Sequence, residues 1–203
     1  MLQYVYLKYG VAEMQNLVIL DFGSNSTRLS INEVSDEGKY REVFRAKEMT
    51  RMAEGMGNSE KKVLQADAIE RTLDAVRKFQ KHYENLPNLK IKGIATAAVR
   101  VAENKEEFLE KIKSLTGVEV EILSGSAEAY YDYVGVANCL DVKDAVICDM
   151  GGGSFEVILM KNKKALNLIS IQYGAVSLTE KFQTQDKINA GTADSRRTDY
   201  HGA

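Results

Sequence analysis

Two segments of the chain have the same order of apolar, acidic and small residues. The first, VILDFGSNSTRLSI, begins at Val18, and the second, VICDMGGGSFEVIL, begins at Val146. Each predicts a strand that ends in Asp, a turn with glycine, and a returning antiparallel strand. They align without a gap, which indicates two related hairpins. The matched positions are Asp21 with Asp149, Gly23 with Gly151, Ser26 with Ser154, and Arg28 with Glu156.

The residue types in the two turns suit the binding of phosphate. Glycine permits positive φ and lets backbone N–H groups approach an anion closely, while hydroxyl and amide side chains add neutral donors. Two such hairpins that face each other across a cleft would clamp a phosphate group. The predicted phosphate-binding residues are Gly23, Ser24, Asn25 and Ser26 in the first turn and Gly151, Gly152, Gly153 and Ser154 in the second.

The aspartate at the end of each first strand needs a different role, because a carboxylate repels phosphate. We expect Asp21 and Asp149 to hold a divalent cation or to orient an attacking water molecule. One hairpin of this kind would be weak evidence, since strand-Asp-x-Gly turns are common. Two in the same register favour a phosphate site.

Other nucleotide-binding motifs are absent from the sequence. There is no G-x-x-x-x-G-K-[ST] segment, and neither glycine turn leads into a helix with G-x-G-x-x-G spacing. These absences argue against a P-loop enzyme and against a dinucleotide-binding protein.

Composition and charge narrow the class of partner. The formal net charge of -2 provides no overall attraction to nucleic acid or to an anionic membrane, so a site for a polyanion must be local. Cys139 and Cys148 lack metal-ligand spacing, and no apolar run is long enough to cross a membrane. We therefore predict a cytoplasmic protein with no nucleic-acid or membrane partner.

Periodicity predicts eight strands and four helices, and strand hairpins that alternate with helices indicate an α/β fold. One helix should run from Ser59 to just before Pro87, and a second should begin with a capping box of Asn104 and Glu107. The other two helices are expected over 124–138 and from 176 onward. The predicted strands are 17–22, 27–34, 37–49, 90–96, 118–123, 145–150, 155–160 and 165–171.

The same patterns suggest how the chain is divided. A complete α/β domain is expected over 17–125, and a linking helix with the start of a second, related domain over 126–182. Residues 1–16 are interpreted as an N-terminal extension. Residues 183–203 have no apolar period and few large apolar side chains, which favours a disordered or non-native tail.

Five motifs resemble, in order and spacing, those of the exopolyphosphatase and guanosine pentaphosphate phosphohydrolase family. The resemblance implies an actin-like ATPase (ribonuclease H-like) fold, in which two related α/β domains enclose a cleft. It also implies Mg²⁺-assisted hydrolysis of the terminal phosphate of polyphosphate or guanosine pentaphosphate. The motifs are DFGSNST at 21–27, IATAAVR at 94–100, EILSGSAEAYYDYVGV at 121–136, CDMGGGSFEV at 148–157 and GAVSLTEKF at 174–182.

The resemblance also implies roles for individual residues. Glu128 matches the family's general base, and Arg100 matches the arginine that grips phosphate. Asp149 and Glu156 match acidic residues around the metal and the attacking water, so Asp21, Asp149 and Glu156 form the expected metal set.

The chain also departs from the family pattern. The family usually has two adjacent glutamates followed by Ala and Arg, where this sequence has Ala127 to Tyr130, and Phe155 replaces a small hydroxyl residue. The family's second domain continues well beyond the V-S-L-T helix. A second hypothesis is therefore a non-catalytic fragment that binds phosphate or forms a homodimer through an incomplete sheet edge. A third, an ATPase or kinase of the same fold, predicts adenosine-dependent binding.

Overall fold

The computed structural model describes residues 14–56 and 61–182, which form two β-sheets with helices packed against them. The α/β class predicted from the sequence is confirmed. The strands are β1 Gln15–Phe22, β2 Thr27–Val34, β3 Tyr40–Glu48, β4 Leu89–Ala95, β5 Val120–Ile122, β6 Ala145–Met150, β7 Phe155–Lys161 and β8 Lys164–Ile171. The helices are α1 Ala66–Tyr83, α2 Ala97–Val101, α3 Lys105–Thr116, α4 Gly125–Cys139 and α5 Ala175–Phe182.

The first sheet has five strands in the order β3-β2-β1-β4-β5. Strands β1, β2 and β3 are antiparallel neighbours, whereas β1, β4 and β5 run parallel. The carboxyl ends of parallel strands meet at the same edge of a sheet, which is where open α/β sheets bind ligands. The segments that follow β1, β4 and β5 therefore emerge together, and they carry the turn at Gly23, the short helix α2 and the start of α4.

The core of this sheet lies between its strands and the helices α1 and α3. Helix α1 buries one apolar face, with Ile69, Leu73, Val76 and Phe79 among its members. Phe108 of α3 is fully buried and meets the ring of Phe22 edge-to-face, with 5.5 Å between ring centroids. Aromatic pairs in this geometry add to the stability gained from burial alone.

The start of α1 and the cap of α3 differ from the sequence prediction, and one side chain is involved in both. Helix α1 begins at Ala66 rather than near Ser59, a residue outside the described part of the chain. Asn104 occupies the N-cap position of α3 as predicted, but its side chain makes no capping hydrogen bond. Its side chain instead bonds the backbone of Leu64, accepting from the N–H at 2.9 Å and donating to the carbonyl at 3.1 Å. These bonds hold Leu64 outside the helix, so the predicted capping box was wrong.

The second sheet contains β6, β7 and β8 in sequence order, all antiparallel. Helix α4 packs against the face that carries Ile158 and Met160, both fully or almost fully buried. The opposite face exposes large apolar side chains, among them Val146, Met150, Leu159 and Ile169. Within the described residues, no helix is long and apolar enough to cross a membrane. The predicted domain boundaries stay predictions.

Candidate active site

The two predicted hairpins are present and have the same local geometry. In β1–β2 the register places Asp21 opposite Arg28, and in β6–β7 it places Asp149 opposite Glu156. The Gly23 N–H donates to the Ser26 carbonyl at 3.1 Å, and the Gly151 N–H donates to the Ser154 carbonyl at 3.0 Å. The internal repeat in the sequence therefore corresponds to a repeat in the structure.

The reason for glycine in these turns differs from the one expected. None of the turn glycines has positive φ; among the described residues, the glycines that do are Gly38, Gly55 and Gly117. What the turns require is space, since a Cβ on Gly23 would lie 2.9 Å from the Ser26 carbonyl oxygen. The prediction of positive φ was wrong; Gly23 is required because its turn folds close to the Ser26 carbonyl, and the approach of N–H groups to an anion stays a prediction.

The two turns lie directly against each other. A Cβ on Gly153 would lie 2.5 Å from Ser24 Oγ, and one on Gly152 would lie 3.1 Å from the Asn25 Cβ. Beside this contact is a cavity of about 460 Å³, lined by all eight predicted phosphate-binding residues together with Asp21, Asp149 and Glu128. Residues that are far apart in sequence thus share one cleft.

Hydrogen bonds from neighbouring elements hold each turn by its oxygen atoms. Ser24 Oγ accepts from the Ala98 N–H at 3.1 Å, and its carbonyl accepts from the Ala53 N–H at 2.9 Å. The first N–H groups of α5 donate to the Gly151 and Gly152 carbonyls, both at 2.9 Å. Within the described residues, the N–H groups of Gly152 and Gly153 donate to no protein acceptor. The second turn therefore has its carbonyls bonded and the N–H groups of Gly152 and Gly153 available, which suits an anion.

Glu128 lies in the cleft near the start of α4. The helix begins where Ser124 Oγ accepts from the Ala127 N–H at 3.1 Å, and Glu128 is the fourth helical residue. Arg100 Nη1 donates to Glu128 Oε2 at 3.1 Å. Burial raises the pKa of the Glu128 carboxyl; the Arg100 hydrogen bond opposes this, and the Glu156 charge adds to it. The result is a carboxylate that is more basic than an ordinary glutamate.

Arg100 lies behind Glu128 rather than on the cavity wall. It is carried by α2, a five-residue helix that the sequence did not predict because so short an element shows no period. Its Nη1 also donates to the Leu123 carbonyl at 2.7 Å, while Nε and Nη2 are buried with no hydrogen-bond partner in the described part of the chain. Arg100 thus orients Glu128 in this conformation, and its contact with phosphate stays a prediction.

The three carboxylates of the predicted metal set have different surroundings. Asp21 and Asp149 both line the cavity, and burial raises the pKa of Asp21 although the Arg28 charge opposes it. Glu156 is almost completely buried and accepts from Ser170 Oγ at 2.8 Å. No group of three His, Cys, Asp or Glu side chains in the described segments is close enough to hold a metal. Mg²⁺ often takes only one or two carboxylates and completes its shell with water and substrate phosphate, so Asp21 and Asp149 match its donor chemistry.

The structure adds residues to the site that sequence reasoning missed. Arg28 and Lys47 are directly opposite each other on β2 and β3, and both line the cavity. Neither makes an ion pair with another described residue, so their charges are available to an anion. Tyr131 also lines the cavity and is half exposed. The signal for Arg28 was its place opposite Asp21 in the predicted hairpin.

Asp132 is a further cavity residue without a partner in the described structure. It follows Glu128 by one helical turn, and its Oδ2 is buried with no hydrogen bond. Burial, followed by the charges of Asp149, Glu156 and Glu128, raises the pKa of Asp132 to about 7. The i to i+4 spacing from Glu128 is the sequence signal that points to Asp132.

The fold and the cleft define an α/β protein of the actin-like class, in which two related hairpins meet at a cavity of about 460 Å³. The family model for the Ppx/GppA phosphatase family matches residues 30–198, and the chain belongs to this family. The family and the fold suggested by the five sequence motifs are therefore confirmed.

Similarity to individual proteins agrees with this assignment. A Ppx/GppA family member of known structure from Aquifex aeolicus is 32% identical, with a TM-score of 0.69, over 90% of this chain and 59% of that protein. An exopolyphosphatase from Cytophaga hutchinsonii, at 24% identity and a TM-score of 0.79 over 87% of this chain and 56% of that one, shares the fold. A bifunctional 3-dehydroquinate synthase/phosphatase from Fusobacterium nucleatum is 32% identical over 87% of this chain. The chain spans about 59% of the Aquifex protein and 28% of the Fusobacterium protein.

Proposed function

We propose that the cleft hydrolyses the terminal phosphate of inorganic polyphosphate or of guanosine pentaphosphate. The observation that carries the proposal is the shared cavity, which is lined by both predicted phosphate-binding turns and by the carboxylate of Glu128. Membership of the Ppx/GppA phosphatase family supports the same reaction class. In this proposal the terminal phosphate binds to the free N–H groups of the turns.

Glu128 is the general base of the proposed reaction. Its Oε2 is held by Arg100, and its Oε1 accepts no hydrogen bond from the described residues, so Oε1 is available to a water molecule. As the water oxygen bonds to the terminal phosphorus, the bridging P–O bond breaks and Glu128 takes the proton. The products are orthophosphate and a chain shortened by one phosphate. The raised pKa of Glu128 makes it a better proton acceptor than an ordinary glutamate.

Mg²⁺ is the proposed cofactor, held by Asp21 and Asp149. When bound, it would neutralise phosphate charge and polarise the phosphoryl oxygens. Glu156 is better suited to positioning than to coordination, because Ser170 already bonds it and it does not line the cavity. Arg28 and Lys47 would offset the charge of phosphates beyond the terminal one, which explains how a chain of formal net charge -2 can take a polyanion.

The test is orthophosphate release from long-chain polyphosphate and from guanosine pentaphosphate, with Mg²⁺ and with EDTA. We expect release with Mg²⁺ from at least one of the two substrates and none in EDTA. Turnover of ATP that exceeds both would instead favour an ATPase or kinase of this fold. A folded chain that releases no phosphate from any of them would contradict the proposal.

A second candidate function is phosphate binding without turnover, combined with self-association. The observation that favours it is the exposed apolar face of the second sheet, where Val146 is 65% and Met150 is 54% exposed. Large exposed apolar patches commonly mark interaction surfaces. Sedimentation velocity would separate the two functions, since a dimer without phosphate release supports the second and an active monomer contradicts it.

A further inference from the structure

Asp132 is the one cavity carboxylate for which neither the fold nor the proposed reaction yet provides a role. It lines the cavity with Glu128, but it makes no hydrogen bond or ion pair with any described residue. A buried carboxylate oxygen without a partner is costly, and natural structures keep such groups mainly where they act on a ligand or water. Replacing Asp132 by an apolar residue would remove that cost, so its presence calls for a function.

The position of Asp132 relative to Glu128 defines what it can reach. The two residues are four apart on α4, a spacing that places side chains on the same helix face with about 5–6 Å between their Cβ atoms. Glu128 has one oxygen bound by Arg100 and the other unbonded. Asp132 lines the same wall; its Oδ2 is buried, and its Oδ1, which no described residue bonds, is the oxygen that a cavity water can reach. A water molecule donates two hydrogen bonds of about 2.8 Å each, so it can bridge two acceptors separated in this way.

We propose that Asp132 is the second acceptor for the attacking water, which it holds together with Glu128 between the two carboxylates. This inference rests on the proposed function. With one proton directed to Glu128 and the other to Asp132, the lone pair of the water oxygen faces away from α4, toward the phosphate turns. Glu128 takes its proton as the P–O bond forms, and Asp132 fixes the orientation without receiving a proton. The charges of Asp149, Glu156 and Glu128 repel an ionised Asp132, so a second acceptor at this position is electrostatically unfavourable.

The two carboxylates thus have separate tasks. Arg100 fixes the side chain of Glu128, which explains why that residue can serve as the base in one defined orientation. No cation fixes Asp132 among the described residues, so its side chain is free to bond a water molecule. A role in orientation affects the rate of the bound complex and leaves substrate affinity unchanged.

The experiment measures orthophosphate release from long-chain polyphosphate with Mg²⁺ for wild type, Asp132→Ala, Asp132→Asn and Glu128→Gln. The control is Asp141→Ala, an exposed aspartate that pairs with Lys163 away from the cavity. We expect Asp132→Ala to lower kcat by roughly tenfold or more with KM unchanged. Asp132→Asn should retain more activity than Asp132→Ala because its amide oxygen still accepts a hydrogen bond, and Asp141→Ala should match wild type.

The outcomes separate this inference from the proposed function. Normal kcat in Asp132→Ala together with lost turnover in Glu128→Gln would overturn the inference alone. A raised KM with normal kcat would also overturn it, because Asp132 would then act on substrate or cation binding. Full turnover in Glu128→Gln would overturn the assignment of the base. If Asp132→Ala does not fold by circular dichroism, Asp132→Leu, which is close in side-chain size and cannot accept a hydrogen bond, carries the test. A kcat equal to that of wild type in this variant, with turnover lost in Glu128→Gln, would overturn the role.

Discussion

Replacing Asp132 by Asn should stabilise the protein relative to wild type, and this gain in unfolding free energy should be larger at alkaline pH than at acidic pH. In the folded protein the pKa of Asp132 rises from the usual 3.8 to about 7, chiefly through burial and then through Asp149. A carboxyl with a raised pKa ionises less readily in the folded state than in the unfolded state. Its ionisation therefore costs stability, and the cost is absent below the unfolded pKa and complete above the folded one.

The size of this cost follows from the shift. A change from 3.8 to about 7 is roughly three pKa units, and at about 1.4 kcal/mol per unit the upper limit is about 4 kcal/mol. Asp132 is half-buried, so water screens part of its interaction, and about 2 kcal/mol is the more realistic figure. We expect the difference in unfolding free energy between Asp132→Asn and wild type to grow by about 2 kcal/mol, in favour of the variant, from pH 4 to pH 8.

The assay is urea unfolding, followed by circular dichroism at several pH values, with EDTA present to remove bound cations. Asp141→Asn is the matched control, because the Lys163 hydrogen bond lowers the pKa of Asp141 at an exposed position. Its difference from wild type should not increase with pH. A difference between Asp132→Asn and wild type that stays constant from pH 4 to pH 8 would refute the reasoning, since Asp132 would then titrate in its ordinary range.

Three further predictions concern activity and stability. Arg100→Ala should lower kcat by roughly tenfold or more, because Glu128 loses the group that orients it; a raised KM with normal kcat in phosphate-release assays would instead favour direct phosphate contact. Phe108→Ala should lose about 3–5 kcal/mol of unfolding free energy by urea titration, and a loss below about 1 kcal/mol would contradict its place in the core. Asn104→Ala removes both bonds to Leu64 and should cost about 1–3 kcal/mol by the same method, whereas an unchanged midpoint would show that these bonds do not contribute.

The hairpin repeat could be predicted from the sequence because its signal is local. A strand of alternating or apolar residues, an aspartate and a small-residue turn lie within fourteen consecutive positions, and the second copy removes most of the ambiguity. The register that pairs Asp21 with Arg28 and Asp149 with Glu156 follows from the length of each turn. The face of α1 was likewise predictable, because four apolar residues repeat at helical spacing.

The features that escaped prediction depend on contacts between distant segments. Asn104 has the residue type of a helix cap, yet its side chain bonds Leu64, which lies forty residues earlier. The Asp132 Oδ2 atom is buried because of tertiary packing, and a local sequence pattern cannot predict burial of this kind. The place of Arg100 behind Glu128 depends on α2 and on the Leu123 carbonyl together. Local sequence patterns describe elements well, whereas the partners of polar side chains are set by the tertiary fold.

In the proposed reaction, Glu128 removes a proton from the water that attacks a phosphate bound between the two hairpin turns. The most direct measurement is the single-turnover rate of orthophosphate release from tripolyphosphate with Mg²⁺, in wild type and Glu128→Gln, combined with equilibrium binding of the same compound. We predict that Glu128→Gln binds tripolyphosphate as wild type does and releases phosphate at least about a hundredfold more slowly. Equal release rates in the two proteins would contradict the account.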